Sequence, residues 1–106
     1  MTAIEFDALP LHDATLSTLT IEWPRRSCTL VFTLVHQPGQ SPSAGTLTFD
    51  GLREASLPLQ EPWGRSNSVN AASCPEAGVF VIELQSGDQL RFVATGYKWM
   101  SNRDDR

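Results

Sequence analysis

The stretch Val79-Phe80-Val81-Ile82-Glu83-Leu84-Gln85-Ser86-Gly87-Asp88-Gln89-Leu90-Arg91-Phe92-Val93-Ala94 decides the fold class. Side chains of an extended chain alternate between faces, so Phe80, Ile82 and Leu84 share one side and Val79, Val81 and Glu83 the other. After Ser86-Gly87-Asp88 the alternation resumes with Leu90, Phe92 and Ala94, which predicts a β-hairpin. A three-residue loop over Ser86-Gly87-Asp88 sets Leu84 against Leu90, Ile82 against Phe92 and Phe80 against Ala94. It also sets Val81 against Val93 and Glu83 against Arg91, a favourable charge pair. A two-residue Gly87-Asp88 loop would place Leu84 against Arg91 and mix the faces, so the three-residue loop is expected.

Working outward, Thr15 to Trp23 reads as a strand with Leu19, Ile21 and Trp23 on one face and Thr18, Thr20 and Glu22 on the other. Pro24-Arg25-Arg26-Ser27 reads as the turn after it, because proline's φ is preset for such a position. The next strand, Cys28 to His36, then opposes Trp23 to Cys28, Ile21 to Leu30 and Leu19 to Phe32. Its other face, Thr29, Val31, Thr33 and Val35, is half apolar, which implies cover by loops or a second subunit. Gln37 to Gly45 is an exposed connection, and Thr46 to Asp50 a third strand with Leu47 and Phe49 inward. Gly51 marks a bend. Ala55, Leu57 and Leu59 alternate beyond it, and Pro58, which has no N–H to donate, places that segment at an edge.

Gln60 to Gly78 has no clean period; it is a functional loop or conceals a short strand near Ser66 to Asn70. The second hairpin strand is expected to run on towards Trp99, and Ser101 to Arg106 to fray as a polar tail. At the other end, Ile4, Phe6, Leu9 and Leu11 are spaced to pack over one end of a sheet, with Pro10 opposing a continuous helix.

The chain has 106 residues, 41% hydrophobic, which suits one domain, 1–106, with a single core and no need of metal or disulfide. A net charge of -4 opposes nucleic-acid binding, which needs a basic surface, but is compatible with a basic protein partner. No apolar run approaches membrane-spanning length, and the start, with Glu5, Asp7 and Asp13, lacks the basic and apolar regions of a signal peptide. A cytoplasmic protein with Cys28 and Cys74 as free thiols is expected. Cys28 shares the face of Leu30 and Phe32 and reads as a small buried hydrophobe.

No residue spacing matches a known catalytic or metal-binding pattern. His12, His36, Cys28 and Cys74 lack C-x-x-C or H-x-x-x-H spacing, and no Gly-x-Ser-x-Gly elbow or phosphate-binding glycine loop is present. A non-enzyme without cofactor or metal is expected. The most distinctive segment is Glu61-Pro62-Trp63-Gly64-Arg65-Ser66-Asn67-Ser68-Val69-Asn70. Trp63 with Arg65, Ser66, Asn67 and Asn70 forms a candidate binding surface, since aromatic and arginine side chains on loops anchor interfaces. The competing reading folds Trp63 back as a plug on one end of the sheet, with the polar side chains satisfying loop backbone. His12 either faces that loop or belongs to a turn in which Asp13 bonds its own backbone; adjacent residues on an extended chain point apart, which weakens His12-Asp13 as a pair. Tyr97 and Trp99, with Lys98 and Met100, form a second candidate: a subunit or partner interface, or packing against the N-terminal segment.

Three stretches, Leu11-His12-Asp13-Ala14-Thr15-Leu16, Pro62-Trp63-Gly64 with Ser66, and Ile82-Glu83-Leu84-Gln85-Ser86-Gly87-Asp88, together carry a resemblance. They resemble a group of small uncharacterised bacterial β proteins, some of them similar to immunity proteins of toxin–immunity systems. The resemblance implies a bacterial, cytoplasmic, single-domain β protein that binds another protein. It supplies no active site.

The expected fold is mainly β: a bent antiparallel sheet, small β-sandwich or half-barrel of about six strands, built from sequential hairpins. The leading functional expectation is a non-enzymatic protein-interaction module, immunity-like. The alternatives are a small-ligand module or cryptic enzyme with a pocket walled by the 60–78 loop and His12, and a structural homodimer through Tyr97, Trp99 and Val31.

Overall fold

Alternating apolar residues bury one flank of a strand only if another layer covers it, and here two sheets cover each other. The computed structural model describes residues 5–102. Its strands are β1 (Thr15–Glu22), β2 (Ser27–Leu34), β3 (Ser43–Asp50), β4 (Glu54–Ser56), β5 (Val69–Glu76), β6 (Val79–Leu84), β7 (Gln89–Val93) and β8 (Gly96–Ser101). They form two four-stranded antiparallel sheets, ordered β1-β2-β3-β8 and β4-β7-β6-β5. The fold is thus the sandwich form of the expected β architecture, with eight strands rather than about six.

The core lies between the sheets. Leu30, Phe32, Leu47 and Phe49 from one sheet meet Phe80, Ile82, Leu84, Leu90 and Phe92 from the other. Phe49 and Phe92 stack with ring centroids 4.5 Å apart, and Phe80 lies 5.2 Å from Phe49. Cys28 is buried on the inner face of β2, and Cys74 is exposed on β5, so the two thiols stay apart. Burial pushes the Cys28 thiol up to about 11 and leaves Cys74 as the accessible one.

The expected faces hold, but both hairpin registers are displaced by two residues. In the last hairpin Ile82 pairs with Leu90, Phe80 with Phe92 and Val81 with Arg91. Its loop is Gln85-Ser86-Gly87: the Gly87 N–H donates to the Leu84 carbonyl (3.0 Å) and the Leu84 N–H to the Asp88 carbonyl (2.9 Å). The reason is Gly87, whose φ of +94° suits the last position of a three-residue loop, where a left-handed residue closes the hairpin. The expected Glu83–Arg91 pair is therefore not made. Glu83 takes hydrogen bonds from Asn70 and Gln89, and Arg91 lies 3.7 Å from Glu54. In the first hairpin Ile21 pairs with Cys28 and Leu19 with Leu30, so the turn is Trp23-Pro24-Arg25-Arg26. Pro24 then holds the second position of that turn, the one its fixed φ favours. Trp23 leaves the strand and is exposed.

Four other expectations change. Residues 60–78 contain β5, hidden because an edge strand of Asn70, Ala71, Ala72 and Ser73 buries little. The connection after β2 is shorter than expected, since Ser43, Ala44 and Gly45 already belong to β3. Tyr97 and Trp99 do not continue β7: the chain crosses at Thr95, whose N–H donates to the Asp50 carbonyl (2.9 Å), and β8 joins the other sheet. Ser101 and Asn102 are pinned there; the Asn102 side chain accepts the Ala44 N–H at 2.7 Å. The rest of the expected frayed tail, 103–106, and Ile4 lie outside the described residues.

The N-terminal segment closes one seam of the sandwich. Phe6, in a short 3-10 turn (Phe6–Ala8), is buried with its ring 5.2 Å from Tyr97, 5.0 Å from Phe80 and 6.0 Å from Phe49. That turn also packs on β5. Phe6, Leu9 and Leu11 are all core residues, as their spacing implied.

Candidate functional site

The eight residues singled out from the sequence divide into separate groups. Trp63 and Arg65 stand exposed on the loop between β4 and β5, with Trp63 showing 70% of its surface. The expected plug is not formed. Instead the indole lies against the β6–β7 turn, where a Cβ on Gly87 would approach it to 2.8 Å.

That loop is held from below by one carboxylate. Asp88 is nearly buried, and its two oxygens accept the N–H groups of Gln60 and Glu61, each at 3.0 Å. The buried Ser86 hydroxyl donates to the same carboxylate at 2.9 Å. Burial works to raise the Asp88 pKa, but the hydrogen bonds from Ser86, Gln60 and Glu61 outweigh it and hold the carboxyl below its ordinary value. Two further bonds complete the arch. The Trp63 N–H donates to the Ser86 carbonyl (2.9 Å), and the Gly64 N–H to the Glu61 carbonyl (3.1 Å). Asp88 thus does more than complete a hairpin turn. The clue was its place directly after a turn glycine, among many loop N–H groups needing an acceptor.

Ser66 and Asn67 serve the backbone. The Ser66 hydroxyl accepts the Ser68 N–H (3.1 Å), and the Asn67 side chain donates to the Leu16 carbonyl (2.8 Å). Asn67 and Leu16 are also joined through the main chain, where β1 begins beside the loop. These two residues build the loop, as the structural reading had them.

His12 and Asn70 meet on the outer surface beside β5. The His12 Nδ1–H donates to the Asn70 carbonyl (2.8 Å), since a carbonyl only accepts. His12 Nε2 lies 3.5 Å from Asp13, but its side chain is 72% exposed and walls no deep pocket. Asp13 has φ +64°, and its carboxylate accepts from Gln85 (2.7 Å) rather than bonding its own backbone. Asn70 continues to Glu83, which also takes Gln89, so a polar band crosses the outer face of β5, β6 and β7.

Tyr97 and Trp99 face inward. Tyr97 meets Phe6 and Phe80 edge-on, and Trp99 lies 6.5 Å from Phe32 and covers Gly45, where a Cβ would overlap the indole. Packing against the N-terminal segment is what Tyr97 does. Val31 is in register with Thr46 and Met100, on the opposite face of the same sheet, so Tyr97, Trp99 and Val31 form no common surface. That outer face carries Thr29, Thr46, Thr48, Lys98 and Met100 around a shallow cleft of about 340 Å³.

The aromatic residue that sequence reasoning misplaced is Trp23, exposed to 70% on the β1–β2 turn. It stands at a cleft of about 150 Å³ with Ile21, Leu52, Ala55, Arg26 and Arg53. Among the described residues no group of three or more His, Cys, Asp or Glu side chains is arranged to hold a metal ion, and no helix is long and apolar enough to cross a membrane. Compared with known proteins, the chain matches no family model, no curated protein and no solved structure.

Proposed function

We propose that this chain is a non-enzymatic protein-interaction module, immunity-like in the sense that its cytoplasmic role is to hold another protein through a small preformed surface. The observation that supports this is Trp63, 70% exposed on an arch fixed at both its N–H groups and its supporting carboxylate. Leaving an indole in water forgoes the stabilisation its burial would give, and a fixed arch has already lost the entropy that a mobile loop would lose on binding. Arg65 stands on the same arch with no ion partner among the described residues. Tryptophan and arginine are the side chains that dominate interface energetics. The negative net charge favours a basic partner by electrostatic steering.

The experiment is co-purification from the source cell with wild type, Trp63→Ala, Arg65→Ala and Trp23→Ala. A partner recovered by wild type and Trp23→Ala, but lost by about tenfold or more with Trp63→Ala, supports the reading. A partner retained by Trp63→Ala and Arg65→Ala alike refutes this surface.

A further inference from the structure

The sandwich has two seams, and they are treated differently. The seam between β8 and β5 is sealed by Phe6 and its turn. The seam between the edge strands β1 and β4 is open, and the cleft of about 150 Å³ lies in it. Its floor is apolar: Ile21, Leu52 and Ala55, each packed against the core. Its exposed lining residues are Trp23, Arg26 and Arg53, with Glu22 and Glu54.

We propose that this cleft is a binding site for an apolar monocarboxylate, a ligand with one ring-sized hydrophobic group and one carboxylate. Three observations point that way. First, both arginines are exposed and neither makes an ion pair or side-chain hydrogen bond among the described residues, whereas Arg91 and Lys98 each face a carboxylate. Arg26 and Arg53 line one cleft together, and guanidinium is the side chain that clasps a carboxylate through paired N–H groups. Second, the arms carrying them are tied together. The Leu52 N–H donates to the Arg26 carbonyl at 2.7 Å, and the Arg53 N–H to the Val93 carbonyl at 2.7 Å, so the backbone beneath both charges is set before any ligand arrives. Third, the volume fits. A cavity of roughly 150 Å³ accommodates one benzene-sized group, and the Trp23 indole offers such a ring a face or an edge.

The remaining lining residues define the charge. Glu22 and Glu54 stand at the same cleft, so a second carboxylate on the ligand meets like charge. The site therefore selects a monoanion over a dianion. A free aromatic acid and the carboxyl end of a peptide finishing in phenylalanine share the required chemistry. This inference is independent of the interaction surface at Trp63, which is carried on a different loop and a different turn.

The test is titration of the whole chain with phenylacetate, followed by two-dimensional NMR of the Ile21, Leu52 and Ala55 methyl groups. Saturable shifts at these methyls at about millimolar ligand are expected, the range a ten-atom ligand reaches. Phenylethanol, which lacks the charge, and phenylmalonate, which carries two, are expected to bind at least about fivefold more weakly. Arg26→Gln and Arg53→Gln should each weaken phenylacetate about tenfold, while Arg25→Gln, outside this cleft, leaves it unchanged. A Phe-terminated tripeptide with a free carboxylate, compared with its amide, separates the two sources. Binding of the free peptide alone assigns a peptide end, and binding of phenylacetate alone assigns a free acid. Absence of saturable shifts with both probes, or binding indifferent to both arginine changes, overturns the proposal.

Discussion

The carboxylate of Asp88 holds the N–H of Glu61 at 3.0 Å, across a sequence separation of 27. Through this bond and its twin to Gln60 the turn between β6 and β7 fixes the arch that carries Trp63. Asp88→Asn keeps the shape but replaces one accepting oxygen with a donor that faces an N–H, so the arch should loosen. Amide exchange at Gln60, Glu61 and Trp63 is expected to accelerate well before exchange in β6 or β7. The bond also sets an acid limb. The folded-state pKa of Asp88 lies below its ordinary 3.8, so its stabilisation is full above that value and fades as pH falls through the lowered one. Acid titration of wild type against Asp88→Asn, followed by Trp63 fluorescence in a Trp23→Phe, Trp99→Phe background, should show that limb only where the aspartate is present.

Trp99 lies over Gly45, its partner strand's narrowest residue, so the pair is a fit between a large ring and a missing side chain. Gly45→Ala inserts a methyl into the indole and should cost about 1–3 kcal/mol, the usual range for overpacking. Trp99→Leu vacates the space. In the double variant the Gly45→Ala penalty should shrink by at least about 0.5 kcal/mol, because contacting residues do not add independently. Urea unfolding of the four proteins completes the cycle; strict additivity would show that the ring does not set the cost.

What the sequence made legible was faces, and what it hid was register. A two-residue slip leaves every side chain on its own side, so Leu84 and Leu90 are both core residues although they are not opposite each other. Hydrophobic alternation is blind to such a slip; only the turn chemistry resolves it. Gly87, a glycine free to take the positive φ it adopts, and Pro24 both mark the true loops, and both residues stand in the sequence. Which sheet a strand joins is a different matter. Tyr97 looks like an extension of β7 until Thr95 bonds to Asp50 and turns the chain over. That choice depends on contacts between segments far apart in sequence, and no local pattern records them. The candidate site suffered from the same blindness. Residue type alone marks Trp63 and Arg65, whereas alternation alone places Trp23 on a strand face that the true register ends before.

Phe49 and Phe92 join the two sheets at the centre of the core, both fully buried and stacked at 4.5 Å. Phe92→Ala removes a ring that the neighbouring Phe80 and Phe49 cannot both refill without leaving their own contacts. The expected loss is about 3–5 kcal/mol, against a typical total for such a domain of about 5–15 kcal/mol. The outcome to look for is a lower urea midpoint with an unchanged slope; a shift below about 1 kcal/mol would mean that the two sheets do not share this core.

Cys28 and Cys74 supply a chemical probe of the same packing. Cys28 is buried against Leu30 and Phe32 on the inner face of β2, and Cys74 lies exposed on β5. A thiol reagent needs the thiolate and access to it, so native protein should release one equivalent quickly, from Cys74. The second should appear only at the rate of opening of the sandwich, and Cys74→Ser should abolish the fast phase alone. The Cys28 thiol also predicts an alkaline limb of opposite sense to that of Asp88. Its pKa is raised from 9.0 to about 11 in the folded state, so the unfolded chain loses its proton first. Stability is therefore independent of this group below pH 9 and declines between pH 9 and 11. Deleting the thiol, as in Cys28→Ala, should flatten that decline while leaving the acid limb intact. An alkaline limb of undiminished slope in Cys28→Ala would place its origin elsewhere.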